Sequence, residues 1–243
     1  MNQSIVNLDG KKALVTGATS GIGGAIVDVL IAAGVKVIAQ GRSVERLEAL
    51  RQKHPHIICE QADFAESDQI EKLAQRVIDN YGGVNILINN AGIGYTENVI
   101  DLDIAAFDRL LSINLKAVFI LCKILGKVMV RQRDGYIINI GSGASTTPIA
   151  GMASYCASKY GLLGFSESLA LEMRKSGVKV SIIMPGSTAT RFGDSDPETR
   201  LKSRPGILLP EDTAAAVMFL LSQPKRAWTS QMNLRPLDPD HTF

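Results

Sequence analysis

Aromatic side chains are scarce in this chain of 243 residues: they make up 5% of it, with a single Trp, while 46% of the residues are hydrophobic. The core is therefore expected to be aliphatic, which suits a compact α/β domain. Cysteine is scarce too. The three, Cys59, Cys122 and Cys156, stand far apart without a CxxC pair, which argues against a disulfide framework or a zinc site. His54-Pro55-His56 reads as a turn before a strand and His241 lies in a polar tail, so the histidines form no ligand set and no metal is expected. Charge of one sign is also missing. The 26 Lys and Arg are dispersed among 24 Asp and Glu for a net charge of +2, which leaves no footprint for nucleic acid or an anionic membrane. No apolar run reaches the length of a membrane span, and residues 1–10 lack the apolar core of a secretory signal. These absences predict a cytoplasmic protein whose partner is a small molecule.

What is present is regular. Apolar, β-branched runs alternate with longer segments of helical period throughout the chain, the pattern of repeated βαβ units. Seven strands are expected, near Lys12–Thr16, Val35–Gln40, His56–Gln61, Ile86–Asn89, Tyr136–Gly141, Lys179–Met184 and Met232–Leu234. Right-handed crossovers would give one doubly wound domain over residues 1–243. Its mainly parallel sheet would carry helices on both faces and its loop chemistry on one edge.

Three residues carry the reactive chemistry. Ser142 follows the buried-strand run Ile137-Ile138-Asn139-Ile140-Gly141, so its hydroxyl falls at a strand's carboxyl end, where open α/β sheets bind ligands. The alternative is that Ser142 and Ser145 only close a turn with the neighbouring glycines. Tyr155 and Lys159 lie one turn apart if residues 155–174 are helical. A cation about 5 Å from a phenol, at an effective dielectric of about 20, contributes on the order of 3 kcal/mol, or about two pKa units. On that arithmetic the phenol becomes a usable acid, and the set predicts hydride-transfer chemistry. Cys156 adjoins Tyr155, yet it points about 100° away on a helix and reads as packing.

A nucleotide end is expected at Gly17, Thr19, Ser20, Gly21, Ile22 and Gly23, which follow the strand Ala13-Leu14-Val15 and open a helical run. Backbone amides at such a helix start point at an anion, which suits a pyrophosphate. After the second strand the chain reads Gln40-Gly41-Arg42-Ser43, with no carboxylate for a ribose 2′-hydroxyl. A guanidinium at Arg42 and a hydroxyl at Ser43 favour NADP(H) over NAD(H), although Ser43 also suits the N-cap of a helix over Val44–Lys53. Regular alternation breaks from Pro185 to Pro210, rich in Gly, Pro, Ser and charge. Residues 186–209 are expected to form a mobile substrate lid, the alternative being a surface excursion with one short helix.

With these motifs in place, the chain closely resembles the classical short-chain dehydrogenase/reductase family, especially its 3-oxoacyl-(acyl-carrier-protein) reductase-like members. The family's motifs occur in order as Thr16 to Gly23, Asp63 with Phe64, Asn89-Asn90-Ala91-Gly92, Asn114, Ser142, Tyr155, Lys159 and Pro185-Gly186 with Thr188. The resemblance implies a Rossmann-type fold and a catalytic set of Asn114, Ser142, Tyr155 and Lys159, with Ser142 and Tyr155 holding the substrate carbonyl. It places Asp63 near the adenine, Asn90, Ala91 and Gly92 along the adenosine ribose, Lys159 on the nicotinamide ribose and Thr188 by the nicotinamide amide. It also implies that Asn114 distorts the helical run Leu110–Leu121 and holds a relay water.

Two positions depart from the family pattern. Ser20 stands where many NADP-preferring relatives have a basic residue, so NAD(H) use is also allowed. The C-terminal segment lacks the Val-Asp-Gly-Gly-like ending of many relatives, so a homotetramer is expected with less force and a dimer is the alternative. Leu162, Phe165, Leu169 and Met173 suit either a helix-paired interface or the core. Arg131, Arg133, Arg174 and Lys175 sit where carrier-protein reductases have basic docking residues, or they are solvated helix-end cations. The expected activity is reduction of a carbonyl or oxidation of a secondary alcohol. The alternative is an NADP(H)-binding sensor without turnover.

Overall fold

The computed structural model describes residues 6–194 and 196–237; His241 and the rest of the tail from Asp238 lie outside the described residues. Seven strands form one wholly parallel sheet, β1 (Lys12–Val15), β2 (Lys36–Gly41), β3 (Ile58–Gln61), β4 (Ile86–Asn89), β5 (Gly135–Ile140), β6 (Val178–Pro185) and β7 (Gln231–Leu234), in the order β3-β2-β1-β4-β5-β6-β7. Six strands both start and end within one residue of expectation. β3 begins later than expected because the Ile57 amide closes a turn onto the His54 carbonyl at 3.0 Å, which holds His56 out of the ladder.

The period of two along each strand divides the core. Leu14, Ile38, Leu87, Ile137 and Ile182 point to one face, where α3 (Ser67–Tyr81), α5 (Ala117–Gln132) and α6 (Ala153–Met173) cover them. Ala13, Val15, Val37, Ile86, Ile138 and Ile183 point to the other, under α1 (Gly21–Ala32), α2 (Val44–Lys53) and α8 (Pro210–Ser222). Burial on both faces explains why these strands read as continuous apolar runs. On α6, Leu162 and Leu169 lie in the core, with Phe165 and Met173 packed against it.

One polar chain crosses the first core. Asn89 Nδ2 donates to Asn139 Oδ1 at 2.8 Å, Asn139 Nδ2 donates to Ser166 Oγ at 2.8 Å, and Ser166 Oγ donates to the Leu162 carbonyl at 2.6 Å. It joins β4, β5 and α6, which lead to or carry Asn90, Ser142, Tyr155 and Lys159, and a buried bond series of this kind fixes their relative register.

The chain winds from β1 outward to β3, then returns to β4 on the other side of β1, so the carboxyl ends of β1 and β4 flank the switch point where such sheets bind ligands. Helix α1 packs very close to the loops there. A Cβ on Gly23 would collide with the Gly17 carbonyl oxygen and lie 2.5 Å from Asn90 Nδ2, whereas one on Gly24 would meet nothing nearer than 3.8 Å. Gly23→Ala should therefore lose about 1–3 kcal/mol in urea denaturation, while Gly24→Ala should be neutral or gain up to about 1 kcal/mol. Equal effects at the two positions would contradict this packing.

Candidate active site

The nucleotide end is built on Thr16, whose buried Oγ1 accepts the amides of Asn90 at 2.9 Å and Ala91 at 3.0 Å and donates to the Ile88 carbonyl at 3.3 Å. Asn90 Nδ2 answers by donating to the carbonyls of Thr16 and Gly17 at 2.9 and 3.2 Å. The loops after β1 and β4 are thereby sewn together. Gly17, at φ +61°, sends its amide to Gln40 Oε1 at 3.0 Å, and Gln40 Nε2 donates to the Ala62 carbonyl at 2.8 Å. Gln40 is thus a positioning residue that the sequence reading treated only as a missing carboxylate.

Helix α1 starts with no acidic residue in its first turn and no side-chain cap from Ser20, so no side chain of its own neutralises its first amides. Thr19, Ser20, Gly21 and Ile22 line a cavity of about 560 Å³ together with Asn90, Ala91, Gly92, Pro185, Gly186 and Thr188. Such a cradle fits the diphosphate of a dinucleotide. Ser43 Oγ caps α2 by accepting the Arg46 amide at 3.2 Å, and Arg42 is exposed. Arg46, missed in the sequence, reaches the cavity wall from the first turn of α2. Asp63 Oδ1 accepts the Ala65 amide at 2.9 Å and Oδ2 stands 3.7 Å from Arg109. The Phe64 side chain beside it is buried in the core.

The reactive end lies where β5 meets α6. Ser142 Oγ accepts the Ala144 amide at 3.2 Å and Ser145 Oγ accepts the Ser142 amide at 3.1 Å, so the turn-closing role is real and still leaves the Ser142 hydroxyl on the cavity wall. Tyr155 and Lys159 come from the first turns of α6, and Lys159 Nζ lies 5.7 Å from the Tyr155 ring centroid and donates to the Ile140 carbonyl at 3.0 Å. Asn114 sits in a π-helical turn, Ser112–Lys116, between α4 (Ile104–Leu111) and α5, where the Ala117 amide bonds to the Ser112 carbonyl. The helix is distorted where the resemblance implied. The Asn114 amide accepts from Ile93 N at 2.8 Å and donates to Ile93 O at 2.8 Å and to Ser158 Oγ at 3.0 Å. Ser158 Oγ in turn donates to the Tyr155 carbonyl at 2.7 Å, a link the sequence gave no reason to suspect.

Residues 11–201 match the family model described as short chain dehydrogenase. The chain belongs to the short-chain dehydrogenase family. It is 35% identical over 229 residues to the D-threitol dehydrogenase of Mycolicibacterium smegmatis, covering 88% of this chain and 87% of the relative. To the 3-oxoacyl-(acyl-carrier-protein) reductase of Rickettsia prowazekii it is 36% identical over 231 residues, covering 90% and 92%. Among solved structures, a metagenomic short-chain oxidoreductase in complex with NADP superposes with a TM-score of 0.82 at 34% identity, covering 95% of this chain and 98% of that one.

Electrostatics in this short-chain dehydrogenase depart from the sequence arithmetic. Burial pushes the Tyr155 phenol up to about 12, opposed by the Ser142 hydroxyl, and pushes the Lys159 ammonium down to about 8. The arithmetic treated a cation and a phenol at one effective dielectric and left out the cost of removing both from water, and burial is the leading cause of both shifts.

The excursion after β6 carries a short helix, α7 (Pro197–Ser203). Its two ends are pinned together, with the Leu208 amide on the Ser187 carbonyl at 3.0 Å and the Ala189 amide on the Leu208 carbonyl at 2.8 Å. Phe192 reaches back from it to pack against Tyr155, with ring centroids 5.4 Å apart and planes tilted by 55°. The basic group Arg131, Arg133, Arg174 and Lys175 lies at the far ends of α5 and α6. At about 1.5 Å of rise per residue Arg174 is about 28 Å along the helix from Tyr155, and Arg133 Nη2 donates to the Lys175 carbonyl at 3.4 Å.

The Lys159 shift has a sign that stability measurements can read. Its folded pKa of about 8 lies below the ordinary 10.5, so between those values the unfolded chain binds more protons and folding gains as pH rises. In the cofactor-free protein, wild type should gain on the order of 3 kcal/mol relative to Lys159→Met between about pH 8 and 10.5. A difference that stays constant with pH, measured as urea midpoints, would count against a buried ammonium.

Proposed function

We propose that this protein is an NADP(H)-dependent oxidoreductase that interconverts a carbonyl compound and the corresponding secondary alcohol. One juxtaposition supports the reading: the buried Tyr155 phenol, the Ser142 hydroxyl and the Lys159 ammonium share a cavity wall with the amide cradle of α1. The activities named for the relatives, D-threitol dehydrogenase and 3-oxoacyl-(acyl-carrier-protein) reductase, belong to that reaction class. A nicotinamide dinucleotide held by Thr19 to Gly23, Asn90 to Gly92 and Pro185 to Thr188 would supply or accept the hydride.

The protein's part is proton transfer and alignment. Ser142 Oγ accepts the Ala144 amide on one lone pair, which fixes the hydroxyl on the cavity wall, and its O–H is free of that bond to donate to the substrate oxygen. In reduction Tyr155 passes its proton to that oxygen as charge develops there, and a phenol near 12 is fully protonated at neutral pH, so the acid form is in place. Lys159, one turn away, lowers the cost of the phenolate left behind. Asn114 acts through others: its amide is committed to Ile93 and Ser158, and so it sets the loop after β4 and the first turns of α6. Tyr155→Phe should lower kcat by about 10²–10⁴-fold on a panel of carbonyl substrates while NADPH binding, followed by fluorescence, is retained. Tight NADPH binding by wild type with no turnover in either direction would instead indicate a sensor.

NADP is favoured over NAD because Arg42 and Arg46 flank the end of β2 and no carboxylate stands between Gln40 and Ser43. The double variant Arg42→Ala/Arg46→Ala should raise KM for NADPH by about tenfold or more and leave KM for NADH nearly unchanged. Parallel changes with both cofactors would remove the 2′-phosphate assignment.

A further inference from the structure

Tyr155 belongs to a small apolar cluster separate from the two cores that flank the sheet. Leu110, Ala144 and Cys156 are buried with it, and Ile149, Met152 and Phe192 pack against them. Ala144, Ile149, Met152 and Phe192 also line the cavity. They come from three segments: the turn that Ser142 opens, the stretch before α6 and the excursion after β6. Ile149, Met152 and Phe192 are only half-buried, so each keeps apolar surface uncovered where the cavity meets it. Around Tyr155, then, polar contact comes from Ser142 and Lys159 and apolar contact from this cluster. Arginines of the flap line the cavity too, but Arg200 Nη2 and Arg204 Nη1 are both turned to Ser187 Oγ, at 2.9 and 3.1 Å.

Phe192 limits the space over the phenol. Its ring can approach Tyr155 because Gly94 has no side chain: a Cβ there would come 2.7 Å from Cε1 and Cζ of Phe192 and 3.3 Å from Cδ2 of Tyr155. Gly94 is not at positive φ, so the missing side chain serves space and not backbone conformation. Under the proposed function Ser142 and Tyr155 take the carbonyl oxygen, and the substituents of the carbonyl carbon stand one bond further on. A hydrocarbon substituent there covers the open faces of Ile149, Met152 and Phe192, with a gain that grows with each methylene. A hydroxylated one gives up bonds to water that these side chains cannot replace.

We propose that Ala144, Ile149, Met152 and Phe192 form an apolar subsite for a hydrocarbon arm of the substrate carbonyl, with Phe192 setting how large an arm fits. The substrates are then alkyl or aryl ketones and the corresponding secondary alcohols, not polyhydroxylated compounds. The proposal rests on the oxidoreductase reading for the position of the carbonyl and on the apolar cluster for the nature of the arm.

The test uses the full chain with NADPH and the methyl ketones from butan-2-one to nonan-2-one. In wild type kcat/KM should rise about two- to fourfold per methylene, through KM, until the arm outgrows the subsite. Pentan-2-one should exceed 4-hydroxybutan-2-one, in which a hydroxyl replaces the last methyl, by about tenfold or more. Phe192→Ala should move the preferred ketone to a longer arm. Gly94→Ala should shift the preference too, because it keeps the ring and displaces it, and it supplies the readout if Phe192→Ala does not fold. A response independent of arm length, or 4-hydroxybutan-2-one reduced as well as pentan-2-one, overturns the subsite and leaves the oxidoreductase reading intact. So does a Phe192→Ala variant slowed by one factor on every ketone, which would leave the ring as a cover for the phenol only. Pentanamide and octanamide, which offer a carbonyl oxygen and are not reduced, separate the two readings in calorimetry on the NADP⁺-loaded protein. If no ketone turns over, yet octanamide binds about tenfold or more tighter than pentanamide and Phe192→Ala alters that ratio, the subsite stands and the reaction reading fails. Equal or absent amide binding without turnover overturns both.

Discussion

A charged ammonium buried in the protein is the constraint around which the rest is arranged. Lys159 is only 4% exposed, and its one recorded hydrogen bond runs to the Ile140 carbonyl at the end of β5. Burying such a group costs several kcal/mol before any compensation, and the depressed pKa is the visible part of that cost. A stable fold has no use for a cation there. What the position provides is a charge one turn from a phenol, at the lip of a sheet whose last carbonyl points at it. Any apolar side chain of similar length would remove that expense, and under the proposed function it is the charge facing Tyr155 that accounts for it.

Keeping that charge in place requires α6 to hold one register against β5, and polar groups supply this where apolar packing alone would allow a slide. Asn89, Asn139 and Ser166 tie strands to helix inside an otherwise aliphatic core. Asn114 and Ser158 tie the same helix to the π-helical turn and to the loop after β4. Hydrocarbon contacts are non-directional, so a core of Leu, Ile and Val sets the distance between layers and leaves small shifts cheap. Directional bonds to two different layers remove that freedom, and both series end within a few residues of the reactive groups.

The strands and the main helices were legible because burial on both faces imposes apolar runs, and because glycines mark the turns where the chain passes close to itself. Thr16 to Gly23, Asn114, Ser142, Tyr155 and Lys159 could be placed on their elements for the same reason, since their neighbours in sequence carry the period. Gln40, Ser158, Phe192 and the arginines of the flap could not. Each meets the site through a contact with a distant segment, and neither period nor propensity encodes which way an irregular stretch such as 186–209 folds back. The phenol's acidity was misjudged for a related reason: spacing gave the Tyr155–Lys159 pair, but burial is a property of the assembled layers.

Phe192 connects that burial to the flap. Its ring lies against Tyr155, and a Cβ on Gly94 would come 2.7 Å from its edge, so it fills the space over the phenol between the flap and the loop after β4. Part of the desolvation that holds the phenol near 12 therefore comes from a residue of the excursion, not from the sheet or α6. Displacing Phe192 would let water reach Tyr155 and return its pKa toward the ordinary value. Exclusion of water and the acidity of the Tyr155 phenol are then linked, because the same short segment carries the aromatic cover over it.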